Sequence, residues 1–495
     1  MMTYRIPKFI IFFLFSVVFI STGTLLAQTK VKTIDYKSKI KSPKISALLP
    51  FYNKEEDHTA LFITHFSDIE LLLLDKENNI QKHILARKPR LGVSDVVGVS
   101  AEKNHYTVYL LNRVKDKLGV LFFDLENEET KKDIFYIDLK RDEKVFGQFS
   151  HNNAFYLISI FKNTSTINLR KFKKGNEIAV EKFVFNNEDF PHFLAPNLFN
   201  CIYYNDPFFK PTQLYNPVVN SNKSDYFKLE DNNLYICSNT NTVVKINLLD
   251  YSSKVTNFPS RYKRQGDNLK STPFKNLVKH NKTKSDITNG HFFRVNLYKK
   301  EITLEMYHIE TGKLILDTYL DIDNEYANYL ELTPKEKSKR LETKINKAIR
   351  HGKLNISTYF ANDLMHISIG KNATQYFWQT FDNALVDHNN PGNTHNTTVD
   401  FVGVFSEGKP NFQSTNFSTQ LIFTTKEKNR VLDFAVDKTG SFVKTDSNLE
   451  NHIYYKFYNT NDHLNFHRIN ALYNKGNKST FIRLDEKTKT LEIYE

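Results

Sequence analysis

The sequence predicts an all-β chain, a β-propeller of seven or eight four-stranded antiparallel blades, on three observations. First, short apolar runs separated by turn residues recur from about Leu48 to the end of the 495-residue chain, which is a strand pattern. Second, the bends between them are regularly spaced. Asp75, Glu126 and Lys174 follow one another at 51 and 48 residues (126 − 75 and 174 − 126), close to the size of one four-stranded blade. Third, Leu71–Leu74, Val108–Leu111 and Ala154–Phe161 (AFYLISIF) are apolar on both alternating faces. A sheet with one face in water alternates apolar and polar residues, and the outer faces of a two-layer sandwich stay polar. Strands apolar on both faces must be covered on both, as neighbouring blades cover one another.

Taken in order, the chain opens with Arg5 and Lys8, the apolar run Phe9–Ile20 and small residues around Ala27. That is the layout of a secretory signal peptide, residues 1–27, cleaved before Gln28. The run of 12 apolar residues falls short of the roughly 20 needed to span a bilayer. No cysteine lies near Ala27 to carry a lipid. The mature chain is therefore expected to be exported, periplasmic or extracellular, without a transmembrane segment. Residues 28–47 are Lys-rich and read as a flexible lead-in, and 48–495 as a single propeller domain.

Eight hairpins mark that domain. They are Ile69–Leu85 around Asp75, Val120–Ile137 around Glu126, Ile167–Phe183 at Lys174-Gly175 and Thr242–Thr256 around Asp250. Then follow Leu304–Leu316 at Glu310, Thr374–Val386 at Asp382-Asn383, Val431–Val443 at Asp437 and Phe481–Tyr494 at Asp485. Gly175, Gly312 and Gly440 suit the left-handed backbone that such loops often need. The recurring acidic residues Asp75, Asp250, Glu310, Asp437 and Asp485 sit where turn-forming hydrogen bonds are made, so they read as structural. Ile302–Tyr307 and Leu491–Tyr494 alternate and read as outer strands.

Three insertions interrupt the repeat, at 186–225, 259–289 and 323–352. The first holds Pro191, Pro196, Pro207, Pro211 and Pro217, and the aromatics Tyr203, Tyr204, Phe208 and Phe209. The second is basic, with Arg261, Lys263 and Arg264 at its start. The third carries a helix near 333–351. Thr333 is its N-cap, Pro334 its first residue, Glu336 completes a capping box and Gly352 ends it; Lys337, Arg340 and Lys344 lie off its apolar stripe. Each insertion falls between the last strand of one unit and the first of the next, so all three should share one face of the disc.

No Gly-rich phosphate loop, His-Glu-x-x-His, Cys-x-x-Cys or Gly-x-Ser-x-Gly occurs, and no cofactor or metal is expected. His463 with His467, and Asp387, His388 and His395, read as surface groups, and Tyr376–Trp378 as core. Cys201 and Cys237 are either one disulfide or two buried thiols. The formal charge of +13 falls to +11 once Arg5 and Lys8 leave with the signal (13 − 2), which favours anionic partners. The Glu-Thr-Gly-Lys turn at Glu310 and the Asp-Lys-Thr-Gly turn at Asp437 resemble outer hairpins of WD40-like and quinoprotein-like propellers. The Trp-Asp and regular-tryptophan signatures of those families are missing, so the resemblance implies no function.

The functional reading is an exported, non-enzymatic binding or scaffold propeller at the bacterial cell envelope. Its partner would be a protein or an anionic polysaccharide in preference to nucleic acid. Binding would use Tyr203, Tyr204, Phe208, Phe209, Arg261, Lys263, Arg264, Lys337, Arg340 and Lys344. The alternative is a propeller-type polysaccharide hydrolase or lyase with carboxylates gathered around the central channel.

Overall fold

The computed structural model describes residues 30–40, 45–90, 94–191 apart from 113, 195–205, 208–210, 225–258 apart from 239–240, 283–319 apart from 299–300, 354–371 apart from 362, 430–443, and 468–494 apart from 476, 477 and 486. The expected signal peptide at 1–27, the expected helix at 333–351 and the expected hairpin at Thr374–Val386 lie outside the described residues.

Twenty-nine strands form seven sheets among the described residues. Blade one is β2 (Ile45–Asn53), β3 (His58–His65), β4 (Asp68–Leu74) and β5 (Ile80–Arg87). Blade two is β6 (Ser94–Glu102), β7 (His105–Asn112), β8 (Lys117–Asp124) and β9 (Glu129–Tyr136). Blade three is β10 (Glu143–His151), β11 (Ala154–Phe161), β12 (Thr166–Lys173) and β13 (Asn176–Val184). Blade four is β15 (Tyr226–Glu230), β16 (Asn233–Ser238), β17 (Thr242–Asn247) and β18 (Ser253–Asn257), with an extra parallel strand β14 (Phe208–Lys210) on β15. Blade five is β19 (Thr283–Thr288), β20 (His291–Tyr298), β21 (Glu301–His308) and β22 (Leu314–Tyr319). Blade six is β23 (Leu354–Ala361), β24 (Leu364–Lys371), β25 (Arg430–Val436) and β26 (Phe442–Val443). Blade seven is β27 (Arg468–Lys475), β28 (Lys478–Asp485) and β29 (Thr490–Tyr494), completed by β1 (Lys30–Asp35) from the other end of the chain.

This is the predicted propeller, with seven blades among the described residues. Its core lies between blades. One apolar cluster joins Phe149, Ile158 and Leu169 of blade three to Phe227, Leu234 and Val244 of blade four. Others join blades five and six, one and two, seven and one, two and three, and four and five. The strands read as apolar on both faces, β4, β7 and β11, are second or third in their sheets and buried nearly throughout. Fourth strands touch one neighbour and face water: β9 and β13 are exposed along most of their length.

Turn chemistry repeats with the blades. First and second strands are joined by two-residue turns such as Asn152-Asn153 and Asn289-Gly290, with positive φ at both positions, as a type I′ hairpin requires. At the third-to-fourth turns Asp75 Oδ1 accepts from the amides of Glu77 and Asn79, Asp124 Oδ1 from Glu126 and Asn127, and Asp437 Oδ1 from Thr439 and Ser441. Gly175, Gly312 and Gly440 have φ of 76°, 66° and 89°. The acidic turn residues are structural, as read, except that Glu310 pairs with Lys245 while the His308 ring accepts the Thr311 amide at 3.3 Å.

Four expectations change. Residues 28–47 are not simply a lead-in: Lys30–Asp35 is β1, antiparallel to β29. KVKTID gave no strand signal because an outer strand needs backbone pairing and little apolar surface. Ile302–Tyr307 belongs to a third strand, not an outer one, and Thr303–Tyr307 is buried. Its alternation misled because Glu305 is polar yet buried against Arg294. The insertion 259–289 ends earlier, since 283–288 is the first strand of blade five. Leu491–Tyr494, also read as outer, belongs to the third strand of blade seven, which the Asp485 bend joins to the second, because that sheet borrows its fourth strand from the N-terminus.

Candidate functional site

The first strands lie nearest the axis. Those of consecutive blades pack side by side, β2 against β27, β6 against β10 and β19 against β23. β14 extends blade four beyond its first strand, so it stands at the axial edge of that sheet, with Phe208 opposite Tyr226, Phe209 opposite Phe227 and Lys210 opposite Lys228. The insertion 186–225 reaches this edge through a 3-10 turn at Asn187–Asp189 and a helix α1 (Leu198–Asn205). Leu198, Phe199, Cys201 and Ile202 anchor α1 in the core between blades three and four.

Beside β14 lies a buried polar cluster shared by three first strands. Lys228 and Glu230, two apart on β15, project to the same side of their sheet. Lys228 Nζ donates to Ile287 O and, at 3.2 Å, to Thr288 Oγ1. It stands 3.4 Å from Glu230 and 3.8 Å from Asp286. Asp286 Oδ2 accepts the Thr358 amide of β23 at 2.8 Å, and the hydroxyls of Thr288 and Thr358 are 2.8 Å apart. Blades four, five and six are thus stitched by one ammonium and two carboxylates. Tyr226, next to this cluster, is fully buried, and burial pushes its hydroxyl pKa well above the usual value. A buried charge must be paired and hydrogen-bonded to persist. Here both carboxylates face the same lysine.

At the rim made by first-to-second turns, Asn232 Oδ1 of blade four accepts from Asn152 Nδ2 at 2.8 Å and meets His151 Nε2 at 2.9 Å. Burial lowers the His151 pKa. Asn153 Nδ2 reaches Asn53 Oδ1 of blade one at 3.4 Å.

Other ionisable groups are also absorbed by the fold. Glu143 accepts from Ser159, Asn168 and Arg170, and these bonds outweigh the burial that opposes ionisation and lower its pKa. Arg294 donates to Glu305, to Asn241 Oδ1 at 2.8 Å and to Phe258 O at 2.6 Å, tying blade five to the second-to-third turn of blade four and to the residue after its fourth strand. No group of three or more metal-ligating side chains occurs among the described residues.

Of the sequence-predicted residues, Phe208 and Phe209 fall on β14 at the axial edge, and Tyr203 and Tyr204 on the last turn of α1. Arg261, Lys263, Arg264, Lys337, Arg340 and Lys344 lie outside the described residues. Cys201 and Cys237 are not bridged. Each is buried, in different core clusters, with Cys201 Sγ near Phe190 O and Cys237 Sγ near Ser285 Oγ. Sequence reading missed Lys228, Glu230 and Asp286. The available signal was a pair of opposite charges two apart inside a short aromatic strand, YFKLE.

No protein-family model matches the chain, nor does any curated protein sequence. Among solved structures it is similar to BamB from Moraxella catarrhalis at 8% identity, covering 95% of this chain and 98% of that one with a TM-score of 0.29. It is also similar to the β-propeller domain of Cps50 (Swd1) from Myceliophteria thermophila at 8% identity, covering 93% and 98% with a TM-score of 0.28. Nothing about partner or activity follows from likeness at this level. No helix among the described residues is long and apolar enough to cross a membrane.

Proposed function

We propose that the chain is an exported, non-enzymatic binding or scaffold propeller of the bacterial cell envelope, with a protein or an anionic glycan as its partner. The observation that carries this reading is the inequality of the two faces. Neighbouring strands of a blade run antiparallel, so first-to-second and third-to-fourth turns share one face, and the remaining connections share the other. On the first face the turns are a few residues long. The long connections 185–225, 258–282, 320–353 and 444–467 between blades, and 372–429 within blade six, begin and end on the second. The connections that begin and end on this face include, in the sequence, Arg261, Lys263, Arg264, Lys337, Arg340 and Lys344, and the segment bearing Tyr203, Tyr204, Phe208 and Phe209. Loops concentrated on one side of a rigid scaffold are where binding groups commonly sit.

Glycan-array and envelope-protein binding before and after charge reversal at Lys337, Arg340 and Lys344 tests the proposal. Loss of binding supports it, and unchanged binding of either partner class overturns it. The second reading, a polysaccharide hydrolase or lyase, rests on Glu230 and Asp286 on inner strands. It requires new reducing ends or unsaturated products from an acidic polysaccharide, abolished by Glu230→Gln or Asp286→Asn.

A further inference from the structure

The N-terminal segment does two things. β1 pairs with β29 in the register Lys30↔Tyr494, Lys32↔Ile493, Thr33↔Glu492, Ile34↔Leu491 and Asp35↔Thr490. The chain then plugs into blade one. Tyr36 is buried, donates its amide to Lys489 O at 2.8 Å and its hydroxyl to Glu70 Oε1 at 3.0 Å. Ser38 Oγ donates to the same oxygen, and the Lys39 amide donates to Glu70 Oε2 at 3.1 Å. The other groups on this carboxylate come from blade one itself: His65 of β3, its Nε2 3.0 Å from Oε1, and His83 of β5 against Oε2.

Glu70 is fully buried, and three of its five partners belong to the N-terminal segment. β1 itself is largely exposed, with Lys32 and Ile34 only half-buried. Its Lys30 pairs with Glu492 at the surface, and Lys32 Nζ donates to Asn79 Oδ1 at 2.7 Å. The segment is therefore a strand laid on a sheet edge and keyed by a carboxylate socket, the form in which peptides add to sheet edges.

We propose that residues 30–39 are an exchangeable clasp. The groove they fill, the β29 edge together with the Glu70 carboxylate, is a strand-binding site that accepts the same segment from a second copy of this chain. The occupant is fixed by complementarity: the backbone register, Tyr36 and Ser38 for Glu70, and Lys30 for Glu492. In the intact chain the tethered clasp holds the groove at high effective concentration and shuts out a second copy. Loosening the clasp while sparing the socket opens the groove to an unsubstituted copy of the segment supplied by another molecule.

The test uses the full chain carrying Tyr36→Phe and Ser38→Ala, which leaves Glu70 intact, and a fluorescein-labelled peptide of residues 29–40 (TKVKTIDYKSKI). The double variant should bind the peptide at least tenfold more tightly than the unsubstituted chain. Glu70→Gln added to the double variant should weaken peptide binding about tenfold or more. In hydrogen exchange, the amides of β1 and β29 should open faster than those of β11 in the double variant. Three results overturn the proposal: no peptide binding although β1 exchanges fast, equal affinity for a peptide that itself carries the two substitutions, or β1 opening only together with β11. If the double variant does not fold, Ser38→Ala alone carries the same comparisons.

Discussion

Replacing Gly98 by alanine tests how tightly the blades are pressed together. Gly98 lies in the first strand of blade two, beside the register shift between Val96 and Gly98. A Cβ there would run into two ring carbons of Phe155, on blade three, and stand 3.0 Å from Ser150 Oγ. The Phe155 ring cannot turn aside, because it is buried, stacked on Tyr109 at 4.5 Å between centroids, and packed against Phe172 at 5.7 Å. Ser150 is held in turn, its Oγ accepting the Val99 amide at 2.9 Å. Overpacking a filled core costs about 1–3 kcal/mol, and a clash this short on a ring fixed on two sides belongs at the upper end, about 3 kcal/mol. Phe155→Leu alone leaves a cavity and costs about 1–2 kcal/mol on the scale of large-to-small core changes. Together the two changes relieve each other, so urea unfolding should show a favourable coupling of about 2 kcal/mol, well above the roughly 0.5 kcal/mol scatter of independent sites. Additivity within that scatter would refute the close approach of blades two and three.

Three further outcomes follow from the same packing. Glu305→Gln leaves the fully buried Arg294 without its carboxylate and should cost about 3–5 kcal/mol in chemical unfolding. Glu143 has a folded pKa below its unfolded value of about 4.3. Its contribution is therefore complete above about pH 4.3 and lost as pH falls through the folded value; Glu143→Gln should flatten the acid limb of a stability profile below pH 5. Cys201 and Cys237 are both buried thiols, so a maleimide should label neither in the native chain and both in urea without prior reduction.

Much of the architecture was legible because it is written in repetition. The blade spacing, the doubly apolar strands β4, β7 and β11, and the turn acids at Asp75 and Asp437 recur, and recurrence separates a rule from an accident. What escaped was non-repeating or borrowed from afar. β1 could not be read from KVKTID, since its partner is at the opposite end of the chain and an outer strand carries little apolar signal. That borrowing also displaced the Asp485 bend by one strand. Glu305 disguised a buried strand as an outer one, because a charge paired inside the protein looks in sequence like a charge facing water. For the candidate site, the aromatic pair Phe208 and Phe209 was legible from composition, but its arrival at the axial edge was not. Lys228, Glu230 and Asp286 become one cluster only when three blades are brought side by side.

The most direct test of the binding-face account sets the two faces of the disc against each other. One variant reverses Arg261, Lys263, Arg264, Lys337, Arg340 and Lys344 in the long connections 258–282 and 320–353. The other reverses Lys76, Lys174 and Lys438 in third-to-fourth turns on the opposite face. Binding of both to acidic glycans and to envelope proteins is measured against the unsubstituted chain. The account predicts at least a tenfold loss of affinity in the first variant and none in the second. Equal affinity in the first variant, or loss only in the second, would contradict it.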